Sequence, residues 1–330
     1  MIARVSPGTT LMKAWVCRAY GDPSVLALED RPKPVPGDGE VLIRIEATTV
    51  SSGDSRVRGL RLPKGFGPIG RLALGFRRPR RDILGTDLAG TIEAAGKDVT
   101  AYRPGDAVIA FPGSAMGCHA QYRVMPADGR IAPKPSNLAA EEAVSLLFGG
   151  STALHYLRKA GLKAGESLLV IGASGAVGSA MVQLARHLGA KVTGVTSTPN
   201  LELVRSLGAE EVIDYRAIDV TRQSRTWDVV ADTVGASDFG QCHRILNEHG
   251  RYLSIAGGLA DLLARRRGNR RSIAGPAAER PEDVLQLSHL AEAGVLKPVI
   301  DRMFSFAELQ QAHALADSGR KRGSIVVRVD

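Results

Sequence analysis

A hydrophobic run, Leu168-Leu169-Val170-Ile171, passes directly into Gly172-Ala173-Ser174-Gly175-Ala176-Val177-Gly178, and helix-forming residues follow. A strand, a glycine turn and a helix in that order make an anion site. The helix start presents backbone N–H groups, and side chains in the turn would keep a pyrophosphate away from them. On this reading Gly172 gives the tight turn, Gly175 the close approach, and Gly178 the packing of helix on strand. A glycine motif alone signals only a tight turn. The strand before it, the helix after it and the further β units downstream make a bound dinucleotide the expectation.

The end of the next strand should choose the dinucleotide. It reads Val195-Thr196-Ser197-Thr198-Pro199-Asn200, with no carboxylate to oppose a 2′-phosphate. Ser197, Thr198 and Asn200 can donate hydrogen bonds to one. Thr198 or Asn200 also reads as a helix N-cap, and a cap is itself an anion site. NADPH is therefore the expected cofactor, with NADH weaker.

The elements around this loop change style along the chain. Lys13–Ala19, Glu40–Ala47, Gly90–Ala95, Ala107–Phe111 and Ala120–Met125 read as short strands between Gly and Pro turns, a barrel-like unit. Arg31-Pro32-Lys33-Pro34-Val35-Pro36-Gly37 reads as a loop. After Pro135, strands at Ser167–Ile171, Lys191–Thr196, Glu211–Asp214, Asp228–Asp232 and Arg251–Ala256 alternate with helices such as Ser179–Leu188 and Leu201–Leu207. Such alternation builds a parallel sheet with helices on both faces. From Lys297 the character is mixed again, ending in a strand at Ser324–Val329.

Composition bounds the rest. The 330 residues suit two domains, and 44% hydrophobic with 23% charged residues argues against disorder. No apolar run approaches the roughly 18 residues of a span, so an integral membrane protein is excluded and no membrane partner is expected. Residues 1–11 read as a loose extension without signal-peptide order, which makes the cytoplasm the default address. Cys17, Cys118 and Cys242 are too scattered for a disulfide framework or a zinc ribbon. Cys118 and His119 are neighbours, and on a strand they would point to opposite faces, so no metal is expected there. The net charge of +9 gathers in two places. Nine basic and no acidic residues lie between Arg56 and Arg81, and Arg265-Arg266-Arg267 with Arg270-Arg271 forms the second cluster. These read as solvated loops, or as a basic rim that draws in a phosphorylated cofactor. RNA ranks behind both, because no stacking aromatics interleave with the arginines.

Further segments carry a resemblance. Leu84-Gly85-Thr86-Asp87-Leu88-Ala89-Gly90, Arg103-Pro104-Gly105-Asp106-Ala107-Val108, the glycine loop, Leu207 to Tyr215, Asp228 to Gly235 and Arg320 to Val327 occur in one order. From Met12 onward the chain resembles the medium-chain dehydrogenase/reductase superfamily, and within it the zinc-free quinone oxidoreductase group. The resemblance implies an α/β fold: a Rossmann doubly wound parallel sheet at 136–296, inserted into a GroES-like β-rich domain at 12–135 that residues 297–330 complete. It implies an active site in the cleft between the two domains, and a homodimer. Beside the glycines, Thr152, Ser174, Ala176 and Val177 join the expected cofactor set. Tyr215, Val234, Ala256 and Gly257 join it from the ends of later strands.

The departures from the family pattern shape the expected chemistry. Zinc alcohol dehydrogenases of this superfamily carry Cys in the segment matching Val50-Ser51-Ser52-Gly53-Asp54, and His in a Gly-His-Glu motif. Here Gly85 precedes Thr86-Asp87, and the four-Cys lobe is absent. Without a Lewis acid, alkoxide oxidation loses its driver. Reduction of an already electrophilic acceptor does not need one. The resemblance thus implies hydride transfer from NADPH to a quinone or an α,β-unsaturated carbonyl. Two alternatives stay open: an enoyl-thioester reductase whose basic stretches meet a carrier phosphopantetheine, and a non-catalytic, zeta-crystallin-like RNA-binding protein. Ser51, Asp54 and Arg56 fall where relatives place substrate contacts and form the expected catalytic set. Arg56 would stabilise an oxyanion, or else pair with Asp54 in a local salt bridge. Arg56 stands where quinone oxidoreductases often have an aromatic residue, and Pro199 where many relatives have Arg or Lys.

Of the residues at the zinc-ligand positions, Ser51, Ser52, Thr86 and Asp87, only Asp87 is a ligand type, and one carboxylate does not hold zinc tightly. Elemental analysis of the purified protein is therefore expected to find no stoichiometric zinc, and chelator treatment to leave turnover unchanged.

Overall fold

The computed structural model describes residues 10–62, 65, 67–264 and 266–329. Of the expected extension, residues 1–9 lie outside them, and Leu11 already opens the first strand. Leu11–Cys17 pairs antiparallel with Leu26–Pro32. Arg31 and Pro32, expected in a loop, are the last residues of that strand. The ribbon has only two strands, so the missing N–H of Pro32 breaks no interior ladder.

Glu40–Thr49 is the hub of a seven-stranded sheet. It pairs antiparallel with Leu88–Ala95, with Tyr122–Pro126 and with Ser324–Arg328. Ile300–Ser305 lies beyond Ser324–Arg328, while Ala107–Ala110 and Ile131–Pro133 extend the other side. The end of the chain thus completes a sheet that its beginning starts.

The second sheet runs Glu211–Asp214, Lys191–Thr196, Ser167–Ile171, Trp227–Asp232, Leu246–Ser254 and Arg270–Ala274, all parallel, with Arg266–Arg267 antiparallel at the edge. Numbered as they occur, the parallel strands lie in the order 3-2-1-4-5-6 of the Rossmann fold. Its switch point falls between Ser167–Ile171 and Trp227–Asp232, where ligands bind beyond the strand ends. Leu168, Leu169 and Val170 are completely buried, as a parallel sheet covered on both faces requires.

Two helices that shape the cleft leave little periodic signal. Helix α1, Ser52–Arg58, is short and polar. The helix Leu147–Ala160 contains Gly149-Gly150-Ser151-Thr152, all poor helix formers. Packing explains the glycines. A Cβ on Gly149 would stand 2.2 Å from the carbonyl oxygen of Ala176, and one on Gly150 would stand 2.5 Å from Leu287. This helix therefore lies directly against the start of the helix Ala176–His187, which follows the glycine turn.

The chain's end is tied to that turn. Gly323 N–H donates to the carbonyl of Ser174 at 2.8 Å, and Gly175 and Gly323 form a parallel bridge. Gly323 has φ +64°, and a Cβ there would lie 2.1 Å from the carbonyl oxygen of Val299. Ser324 fastens the next residue: its N–H donates to Val299 and its hydroxyl to the carbonyl of Ser145.

Candidate active site

The cradle begins where Ile171 ends its strand. Gly172 takes φ +82°, and a Cβ on it would come within 2.5 Å of Val234. A Cβ on Gly178 would strike the carbonyl oxygen of Gly172 at 2.1 Å. Gly175 differs: an added Cβ would meet only that same oxygen, at 3.5 Å, and otherwise open space. The helix Ala176–His187 starts there, and its first N–H groups have no intrahelical acceptor. Gly175, Ala176 and Val177 line a cavity of about 310 Å³. Facing them across it are Ser55, Arg56, Arg61, Asp317, Gly319 and Lys321. An open helix N-terminus, glycine where a side chain would intrude, and facing cations fit the pyrophosphate of a dinucleotide.

The loop after Trp227–Asp232 is held rigid over this cavity. Asp232 is buried and accepts from the N–H groups of Val234, Gly235 and Ser237 at 2.9, 2.7 and 2.6 Å. Thr233 and Val234 thereby become part of the cavity wall.

The end meant for the 2′-phosphate differs from the sequence expectation. The Thr198 hydroxyl donates to Asp214, a carboxylate brought in from the end of the adjacent strand. Linear order hid that acid. The Asn200 amide donates to the hydroxyls of Ser174 and Ser197, at 3.3 and 3.2 Å. Neither Thr198 nor Asn200 makes a side-chain N-cap bond, which corrects the capping reading. Tyr215 is 58% exposed, so its ring is open to a ligand. Arg216 is exposed beside Asp214, and its charge helps hold that carboxyl below its ordinary value, behind the hydrogen bonds from Thr198 and from the Arg216 N–H. A cation therefore does stand at this end, supplied by Arg216 where Pro199 offers none.

Of the expected catalytic residues, Arg56 alone lines the cavity. Ser51 and Asp54 form a capping box at the start of α1. Asp54 accepts from the N–H and hydroxyl of Ser51, at 2.8 and 2.6 Å, and from Gly85 N–H at 2.9 Å. Both residues are buried, and their hydrogen bonds position α1 against the Gly85 turn. With its oxygens used there, Asp54 forms no ion pair with Arg56. Arg56 is partly buried and has no ion pair among the described residues. Burial, and then the charge of Arg61, lower its pKa. Its neighbours on and just after α1 are anchored instead. Asp317 accepts from Ser55, Arg58 and Arg61. Burial alone would raise the Asp317 carboxyl, but these three donors hold it below its ordinary value.

A second cavity of about 370 Å³ adjoins the first and shares Ser52, Arg56, Phe148, Val177 and Thr233 with it. Its remaining wall is mostly apolar: Phe111, Tyr156, Ile255, Ala256, Pro276, Ala277 and Ala278, with Thr152. The Thr152 hydroxyl donates to the carbonyl of Phe148 within the helix, at 2.8 Å. Gly257 lies outside both linings, and a Cβ there would stand 1.9 Å from the Ser254 hydroxyl. Glu279 closes one side, accepting from Ser114 and Arg130. Sequence reading missed Phe148, Thr233, Glu279 and Lys321. The Gly149-Gly150 pair was the available signal for the first, since two glycines within a helix mark a close approach.

At the positions where relatives carry zinc ligands, Asp87 is buried and accepts from the hydroxyl and N–H of Thr49. Burial pushes its carboxyl up to about 7, against those bonds. Among the described residues no three His, Cys, Asp or Glu side chains converge as a metal site.

A doubly wound sheet with an uncovered helix start, facing a β-rich unit across a cation-lined cleft, defines a two-domain nicotinamide-dependent oxidoreductase. Residues 37–136 match the Alcohol dehydrogenase GroES-like domain family, and residues 207–327 match the Zinc-binding dehydrogenase family. The chain belongs to the medium-chain dehydrogenase/reductase superfamily, in its zinc-free quinone oxidoreductase group. It is 31% identical to the 2-methylene-furan-3-one reductase of Solanum lycopersicum, over 96% of this chain and 79% of that protein. It is 30% identical to a chloroplastic NADPH-dependent alkenal/one oxidoreductase of Arabidopsis thaliana, with the same coverage. Its fold is similar to that of the quinone oxidoreductase from Coxiella burnetii, with a TM-score of 0.85 and 29% identity over 97% of this chain and all of that one.

Lys321 gives the cradle a pH dependence. Burial brings its ammonium down to about 8, against the support of Asp301 and Asp87. An anionic cofactor binds better while Lys321 is charged, so affinity is greatest below pH 8 and falls as pH rises through it. The KM for the reduced cofactor is expected to increase about tenfold between pH 7 and pH 9.5, the scale of one lost charged hydrogen bond. In Lys321→Met the KM is expected to be high throughout and flat across that range.

Proposed function

We propose that the protein is an NADPH-dependent reductase that delivers hydride to a quinone or an α,β-unsaturated carbonyl without zinc. The observation that carries this reading is Arg56, an unpaired guanidinium in the wall common to the cradle and the apolar cavity. The activities for which the tomato, Arabidopsis and Coxiella relatives are named support the same acceptor class. When bound, the nicotinamide supplies the hydride. Phe111, Phe148, Tyr156 and Ile255 give a planar acceptor an apolar slot and keep water from it. Arg56 faces the oxygen on which negative charge gathers as the acceptor is reduced, and its charge is permanent, so it stabilises without donating a proton. Residues 12–135 with 297–330 serve as the catalytic unit and 136–296 as the dinucleotide-binding unit. The family resemblance supports a homodimer.

NADPH is expected to exceed NADH in kcat/KM by about tenfold, the scale of one or two charged hydrogen bonds. Arg216 and Ser197 favour the phosphate and Asp214 opposes it, which keeps the preference modest. Arg216→Ala should bring the ratio close to one. A wild-type ratio below one refutes the assignment.

Loss of an electrostatic donor costs about 10²–10³ in rate. Arg56→Ala is expected to lower kcat at least about tenfold with the KM for NADPH little changed. An unchanged kcat with a lowered Tm makes Arg56 structural and overturns its role.

A further inference from the structure

The excursion that begins with α1 continues into a feature that the active site does not use. Helix α2, Gly67–Leu74, is followed by a tight loop whose glycine, Gly75, has φ +119°. The Tyr20 hydroxyl donates to the Gly75 carbonyl at 2.9 Å, and Arg80 N–H donates to Leu74 at 2.7 Å. This anchored loop presents Leu72 at 62% exposure and Phe76 at 64%. Around them Arg77, Arg78, Arg80 and Arg81 are exposed and have no ion pair among the described residues. The neighbouring acid, Asp82, is already paired with Arg31 at 2.6 Å.

The dinucleotide-binding side repeats the pattern. The helix Leu259–Leu263 exposes Leu263 at 70%, and the hairpin after it exposes Arg266, Arg267 and Arg271 without ion pairs among the described residues. The segment leading into α2 touches the start of the helix Leu259–Leu263. A Cβ on Gly65 would lie 2.7 Å from the Cβ of Leu259, so the excursion reaches across from one unit to the other. Lys64 and Arg265 lie outside the described residues.

We propose that these two elements form one surface that docks on an anionic phospholipid bilayer. Charge complementarity and exposed apolar side chains point to the same partner. Arginines draw the surface to lipid phosphates, and a large leucine or phenylalanine gains by leaving water where acyl chains can receive it. RNA would use the cations but not the leucines, and Phe76 is the sole ring in the α2 loop. The expectation of no membrane partner rested on the missing span, and a peripheral surface needs none. The proposal does not depend on which acceptor the active site reduces.

The test is co-sedimentation of the full chain with phosphatidylcholine vesicles, with and without about one third phosphatidylglycerol, at low and at physiological salt. Binding is expected with the anionic vesicles only, falling as salt rises. Arg77→Glu combined with Arg78→Glu should weaken it about tenfold or more, and Phe76→Ser or Leu263→Ser several-fold. These residues lie outside the catalytic and cofactor walls, and an unchanged Tm serves as the folding control. Phe76→Trp should show a blue-shifted emission on anionic vesicles, because Trp15 and Trp227 are buried and report little. Absence of binding overturns the proposal. So does binding that both serine variants retain in full, or tighter binding to a single-stranded RNA oligonucleotide, either of which reduces the surface to a polyanion patch.

Discussion

The hydrogen bond from Gly323 N–H to the carbonyl of Ser174 ties the last strand of one unit to the glycine turn of the other. It depends on a backbone conformation that a side chain would strain, and Val299 leaves no room for one. Because Gly323 is fixed there, Gly319 and Lys321 stand across the cavity from the open helix start. Because Ser324–Arg328 pairs with Glu40–Thr49, the same tie locates the strand from which α1 departs. The cleft is thus registered by the chain's end, not by the loop that carries the recognisable motif.

Charge inside the cleft follows from that register. The helix Leu309–Asp317 ends in a carboxylate that collects Ser55, Arg58 and Arg61. Arg58 is completely buried, and its Nε donates to Nδ1 of His313 at 3.3 Å. Burial holds the His313 imidazole well below its ordinary pKa, with the charges of His119 and Arg58 adding to the effect, so it accepts that bond as a neutral ring. Arg56, two residues earlier on the same short helix, is left out of this network. One arginine of α1 is structural because an acid reaches it, and another is available for chemistry because none does.

The sequence by itself determined the Rossmann half. Parallel strands buried on both faces must be continuous apolar runs, and the glycine turn has few residues that can build it, so both are legible without coordinates. It also marked the zinc-ligand positions as residues that do not suit zinc, a matter of residue type alone. Local reading missed α1 and the helix Leu147–Ala160, because their formation rests on a capping box and on close packing instead of an amphipathic period. Only the tertiary structure separated Ser51 and Asp54, whose atoms cap a helix, from Arg56, whose guanidinium faces the cavity. It alone brought Asp214 to Thr198 and Lys321 to the glycine turn. Each of those pairs joins residues from different strands or different ends of the chain. Which side chains meet there is set by sheet register and by the Gly323 tie, and linear spacing carries neither.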